Sequence, residues 1–195
     1  MKNRTTLRLT QAAMIAALAY VGFQFLRIDI PVGPERTAFH LGNTFVVLGA
    51  LLLGPGWGGA AAAMGLTLAD LTSGYVTSAP KTFILKLVMG LLAGTVARKC
   101  FHMEQETSAK KQSVIALVSS AVALGCNVVL DPLFGYFYKK YLFGVPQEIS
   151  AALAKMGSVT TLVNAVLSTV CVFLIWTALY PALSRGNMLI WQKKE

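Results

Sequence analysis

Apolar residues in this chain fall in long unbroken runs, without the alternation or helical striping that marks a half-buried element in water. Four runs stand out, about Leu9 to Leu26, Thr82 to Ala97, Val114 to Leu130 and Ser158 to Tyr180. Each approaches the roughly 17 to 25 residues that cross a bilayer as a helix. A fifth stretch, Leu41 to Ser73, is too long for one crossing and is cut by the run GPGWGG. Clustered Gly and Pro predict a tight turn there, dividing the stretch into two short helices, each marginal alone. The expectation is an all-α integral membrane protein, one domain over residues 1–195 built as a bundle of six transmembrane helices.

Charge sets the orientation, because Lys and Arg near span ends favour the cytoplasmic side. With six spans, Lys2, Arg4, Arg8, Arg98, Lys99, Lys110, Lys111, Arg185, Lys193 and Lys194 lie inside, ten in all. Arg27, Arg36, Lys81, Lys139, Lys140 and Lys155 lie outside, six in all. Treating Leu41 to Ser73 as a single helix would leave seven inside against nine outside, so six spans with both termini cytoplasmic is the better arrangement. The composition agrees: 55% of residues are hydrophobic and 13% charged, where soluble domains carry about a quarter charged. The net charge of +9 suits a basic cytoplasmic face against anionic lipid of the bilayer, with no nucleic acid partner implied. The basic start and the run AAMIAALAYVGF imitate a secretory signal, but the spans that follow predict an uncleaved first helix. Cys100, Cys126 and Cys171 lack the spacing of a metal or redox motif and read as small core hydrophobes.

Against this background several polar residues are out of place. Lys86 sits inside the apolar run KTFILKLVMGLLAG, and a charge at membrane depth is a functional-site hypothesis unless it snorkels to the headgroups. At about 1.5 Å of rise per residue, His40, Asn43, Asp70, Lys86, Asn127, Asp131 and Asn164 all fall in the outer third of the bilayer. Asp70 and Asp131 are expected as partners of Lys86. The inner half is expected to be almost purely Leu, Val, Ala and Gly, so the polar layer forms a cup open to the outside and sealed below. The competing explanation is structural: Lys86 snorkels, Asp131 ends a helix before Pro132, and the asparagines bridge helices.

Two outer segments are placed to cover such a cup, RIDIPVGPERTAF and GYFYKKYLFGVPQEIS. Tyr136, Phe137, Tyr138 and Tyr141 in the second read equally as interfacial anchors. Tyr75, just beyond Asp70, is the aromatic favoured for stacking on a flat ligand. On helix 1 the run QAAMIAALAY puts Ala12 with Ala16 and Ala13 with Ala17 at four-residue spacing. Such spacing allows close approach of another helix, either a partner's or one of this bundle.

No Walker A sequence, G-x-S-x-G or H-E-x-x-H occurs. An ATPase, a serine hydrolase or a zinc enzyme is therefore not expected, and no cofactor is called for. What remains is a protein that binds something from outside without an engine of its own.

The segment from Leu41 to Gly94, with its LGP..G turn followed by LADL.SGY and K..MG..AG, resembles the S components of energy-coupling factor (ECF) vitamin transporters. It is most similar to the branch of riboflavin-type and hydroxymethylpyrimidine- or pyridoxine-type S components, and AAMIAALA resembles that family's small-residue docking motif. The resemblance implies a six-helix subunit in the plasma membrane of a prokaryote that captures a vitamin outside. It further implies docking through helix 1 on a transmembrane scaffold subunit driven by two ATP-binding subunits, with release by tilting in the bilayer. A site of Asp, Lys, Asn, His and Tyr fits pyridoxine or hydroxymethylpyrimidine better than riboflavin. The alternatives are a self-contained small-solute carrier and a membrane-embedded lipid or isoprenoid enzyme.

Overall fold

The computed structural model describes residues 4–32 and 35–191. Lys2, Lys193 and Lys194, counted above toward the cytoplasmic charge, lie outside the described residues. Six helices form the bundle: α1 (Arg4–Gln24), α2 (Gly42–Leu53), α3 (Pro55–Thr72), α4 (Ala79–Thr95), α5 (Ala109–Phe137) and α6 (Gln147–Arg185). α1, α5 and α6 are each long and apolar enough to cross a membrane, and α2 is a shorter apolar helix.

The turn predicted at GPGWGG is a single residue. Gly54 has φ +91°, and Pro55 opens α3 immediately after it. That φ lies in the region natural to glycine, and proline at the first helical position gives up only an N–H that has no intrahelical partner.

Between α1 and α2, where the sequence suggested a plain loop, the chain forms an antiparallel hairpin. Strand β1 (Arg27–Val32) pairs with β2 (Glu35–His40), with Arg27 opposite His40. The hairpin explains how α2 is so short. Its 12 residues rise only about 18 Å, but β2 first carries the chain into the bundle until His40 lies beside Asn164 of α6.

Helices α5 and α6 run further outward than expected. GYFYKKYLFGVPQEIS is mostly helical: α5 continues through a π turn to Leu142, and Gln147 already belongs to α6. The 39 residues of α6 reach about 58 Å, well past the bilayer, because no proline falls in its first nine turns and Gly157 stays helical.

Large apolar side chains point outward. Leu162, Val166, Val170 and Leu174 form an exposed stripe on α6, while Asn164, Ser168, Val172 and Trp176 face inward. Lipid is as apolar as leucine, so association here depends on close packing and interhelical hydrogen bonds. Glycines supply the packing: Gly59 of α3 lies on Gly90 of α4, and a Cβ on Gly58 would overlap the Gly49 carbonyl of α2.

The inner half is not the purely aliphatic seal expected. Gln112, Ser113, Ser119 and Ser120 of α5 and Ser168 of α6 are buried there, and Thr177 donates to Ser113 at 2.8 Å. Small hydroxyls let the two longest helices approach closely, which hydropathy alone does not register. The cysteines also depart from expectation: Cys126 and Cys171 are half-buried and Cys100 is exposed, all three as free thiols.

The start of α1 and the segment after α6 meet on one face. Arg4 donates to the Ile190 carbonyl, and Gln11 to that of Met188 at 2.9 Å. Arg98 sits on the same face, paired with Glu104 and lying 5.0 Å from the Trp191 ring centroid.

Candidate functional site

The site lies at the opposite, outer end, where the hairpin folds over α3, α4, α5 and α6. An exposed strand edge presents a carbonyl and an N–H two residues apart, which a carboxamide can engage as a further strand would. Asn164 does this. Its Nδ2 donates to the Ala38 carbonyl at 3.0 Å and its Oδ1 accepts from the His40 N–H at 3.0 Å. Thr37 and Thr160 add a hydroxyl contact at 2.9 Å. Asn164 therefore lines the cavity but spends both polar ends fixing β2 to α6. The His40 ring accepts the Gly42 N–H on Nδ1 at 3.2 Å. That bond covers an orphan donor at the start of α2 and leaves the imidazole proton on Nε2.

The walls carry four charged groups. Asp70, in the last turn of α3, accepts from Thr82 of α4 through Oδ2 at 2.5 Å. Its backbone carbonyl accepts the N–H groups of Ser73 and Tyr75, which sets the turn into the next segment. Asp131 of α5 pairs with Lys81 at 2.6 Å through one oxygen and accepts from Thr161 at 3.2 Å through the other. Lys86 is 7% exposed and makes no hydrogen bond or ion pair among the described residues.

The expected pairing of Lys86 with Asp70 or Asp131 is thus corrected. Lys81, read as an external end marker of α4, occupies Asp131, and a threonine one position along occupies Asp70. Lys81 starts nearer the surface, but its four-carbon stem reaches inward to the carboxylate.

The cavity these groups enclose measures about 140 Å³ and opens outward between the hairpin and the ends of α4, α5 and α6. Below it lies a second chamber of about 70 Å³. Phe23, His40, Asp70, Lys81, Thr82 and Asp131 border both, while Leu66, Leu85 and Lys86 border the lower chamber only.

Of the residues selected from sequence, His40, Asp70, Tyr75, Lys86, Asp131 and Asn164 come together here. Asn43 and Asn127 do not line either chamber. Both are buried, Asn43 Oδ1 and both amide atoms of Asn127 lack partners among the described residues, and Asn127 faces Leu85 and Met89 between α4 and α5. Sequence reasoning missed Lys81, Thr82 and Thr161. The threonines gave no signal, since a hydroxyl costs little in a helix when it can bond its own backbone.

The roof is held by a charged cluster. Asp29 of β1 takes Arg27 at 3.2 Å, Arg36 at 3.3 Å and the Tyr75 hydroxyl at 2.9 Å. Arg36 also donates to the Ser73 carbonyl at 2.6 Å and lies 4.7 Å from the Tyr75 ring centroid. Burial, then the bond to Asp29, pushes the Tyr75 phenol well above its ordinary range, so it remains a donor at physiological pH. Tyr75 thus fastens the hairpin to the α3–α4 connection as well as bordering the cavity.

The alanine ladder of α1 divides. Ala13 and Ala17 are exposed beside Met14 and Leu18, whereas Ala12 and Ala16 are partly buried, and Ala16 packs against Gly65 of α3.

The sequence profile of the ECF-type riboflavin transporter S component family matches residues 3–181. Two solved structures are similar in fold. One, of the S component of a bacterial ECF transporter, is 17% identical, with 92% of this chain and 98% of that chain covered and a TM-score of 0.60. The other, of the S component for biotin from an ECF-type ABC transporter, is 19% identical, with 90% and 93% covered and a TM-score of 0.60. No curated protein sequence matches the chain.

Proposed function

The chain belongs to the ECF-type riboflavin transporter S component family, and from that premise we propose that its outer cavity captures a compact, polar heteroaromatic vitamin of the pyridoxine or hydroxymethylpyrimidine kind. As a family member it is a multi-pass subunit of a transporter in the plasma membrane. That places it apart from a self-contained carrier or a lipid enzyme.

The observation that carries the proposal is a cavity of about 140 Å³ whose walls hold Lys81, Asp131, Asp70 and His40, with Lys86 immediately below. Charged groups at this depth suit a ligand dense in hydrogen-bonding atoms for its size, because each buried polar group left without a partner costs free energy. A broad tricyclic ring would leave much of its apolar face against ammonium and carboxylate groups. Riboflavin is the second reading, favoured by membership of the riboflavin transporter S component family.

Delivery inward requires the scaffold subunit and two ATP-binding subunits. The exposed Ala13 and Ala17 of α1 are the surface we assign to scaffold contact, since small residues at four-residue spacing permit the close helix packing that lipid favours.

Calorimetric titration of the purified protein with pyridoxine, hydroxymethylpyrimidine and riboflavin tests the substrate. Calorimetry suits this chain because Trp57, Trp176 and Trp191 all lie toward the face where the start of α1 meets the segment after α6, away from the cavity. Tight binding of either small ring with weak binding of riboflavin is expected. Tight riboflavin binding with both small rings silent would overturn the compact-vitamin reading.

A further inference from the structure

The polar groups bordering the lower chamber divide into those already paired and those left free. Lys81 spends one of its three N–H groups on one oxygen of Asp131, and the second oxygen of Asp131 is taken by Thr161. Asp70 Oδ2 is taken by Thr82. His40 Nδ1 is taken by the Gly42 N–H, which leaves Nε2–H as a donor. Lys86 contributes an ammonium with three N–H groups and no acceptor among the described residues. With the two N–H groups that Lys81 keeps after its bond to Asp131, six N–H donors therefore remain against one unengaged carboxylate oxygen, Asp70 Oδ1.

Such a chamber calls for an acceptor, and most strongly for an anionic one, since a buried ammonium without an acceptor is expensive and a charge-assisted bond is about twice as strong as a neutral one. Leu66 and Leu85 close the floor with apolar surface, which admits a planar ring edge but no further polar group. With about 70 Å³ the space takes a substituent rather than a whole ring.

We infer that the lower chamber receives the ionised ring oxygen of a hydroxypyridine-type ligand, held by Lys86 Nζ and His40 Nε2, with Asp70 accepting from the hydroxyl of an adjacent hydroxymethyl group. This rests on the compact-vitamin reading and narrows it. A hydroxylated pyridine supplies an oxygen that ionises readily, whereas an aminopyrimidine offers only neutral ring nitrogens as acceptors and adds N–H donors to a chamber already rich in them. Lys86 is on this account the residue that selects between the two rings.

The test is a cycle between protein and ligand. Pyridoxine and its analogue lacking the ring hydroxyl are titrated calorimetrically into the purified full chain and into Lys86→Met, which keeps the apolar stem. For the unmodified protein, loss of the hydroxyl should weaken binding by about tenfold to a hundredfold. Lys86→Met should weaken pyridoxine by a similar factor and leave the analogue within about threefold, because the two changes remove one interaction. Equal weakening of both ligands by Lys86→Met, or equal affinity of the unmodified protein for both, would overturn the inference.

If Lys86→Met does not fold, Lys86→Arg serves, since a bulkier cation with fixed geometry should narrow the same ratio; an unchanged ratio would count against the assignment. Tighter binding of hydroxymethylpyrimidine than of pyridoxine would refute the inference and leave the compact-vitamin reading standing. Binding of riboflavin alone would remove both.

Discussion

Replacing Lys81 by methionine removes one half of the ion pair that joins α4 to α5 at the cavity wall. At 2.6 Å and an effective dielectric near 20, the direct attraction is about 6 kcal/mol before desolvation is subtracted. Both side chains are largely withdrawn from solvent, at 17% and 23% exposure. Stranding one buried charge typically costs about 3–5 kcal/mol. Asp131 keeps its bond from Thr161 and has Lys86 on the same chamber wall, so the lower end, about 3 kcal/mol, is expected. For a chain of this size that corresponds to a fall in Tm of about 6–12 °C. Asp131→Asn should cost less, because the freed ammonium of Lys81 can move along its stem toward the outer water whereas a short carboxylate cannot move. The double variant, with neither charge, should recover to within about 1 kcal/mol of the parent. Thermal unfolding in lipid nanodiscs without ligand, followed by circular dichroism, reads all four proteins. Additive losses in the double variant, or a larger loss for Asp131→Asn than for Lys81→Met, would refute the reasoning.

Close helix contact at Gly58, where a Cβ would overlap the Gly49 carbonyl, predicts that Gly58→Ala lowers stability by about 1–3 kcal/mol. Gly125→Ala, with nothing within 4 Å, should be neutral or gain up to about 1 kcal/mol; similar shifts for the two would count against this packing. In a background without the three native cysteines, a cysteine at Lys139 should react with an impermeant reagent from outside, and one at Ser108 only after permeabilisation; the reverse pattern would invert the bundle. Ala13→Leu should abolish cellular uptake while leaving the isolated protein's ligand affinity unchanged, whereas Ala16→Leu should also lower its Tm, since Ala16 packs on Gly65. Loss of ligand binding in Ala13→Leu would show that this face belongs to the bundle.

The bundle was legible because hydrocarbon solvent leaves a coarse signal. A helix that must satisfy its backbone inside lipid needs a long apolar run, and such runs are visible residue by residue. The break at Gly54–Pro55 was legible for a local reason, since positive φ and a missing N–H each point to a residue type. The hairpin was not, because β1 and β2 owe their depth to Asn164 and Thr160, which lie more than a hundred residues away in α6. The outward extension of α5 was missed because Pro132 reads as a helix end although the helix runs through it, and that of α6 because its more polar first turns carry no hydropathy signal of a span.

For the site, the sequence by itself determined which residues were anomalous: a lysine, two aspartates, a histidine and three asparagines at one depth cannot all be accidental in a membrane. It also determined on which side of the bilayer they lie, through the distribution of Lys and Arg. Tertiary structure alone decided how they divide the work. Asn164 became a clamp on β2, Asp131 went to Lys81 rather than Lys86, and Asn43 and Asn127 fell behind the walls. Depth follows from counting along one helix, because the rise per residue is fixed. Partnership depends on how each helix is rotated about its axis and on the reach of flexible side chains, both set only when all six helices pack together.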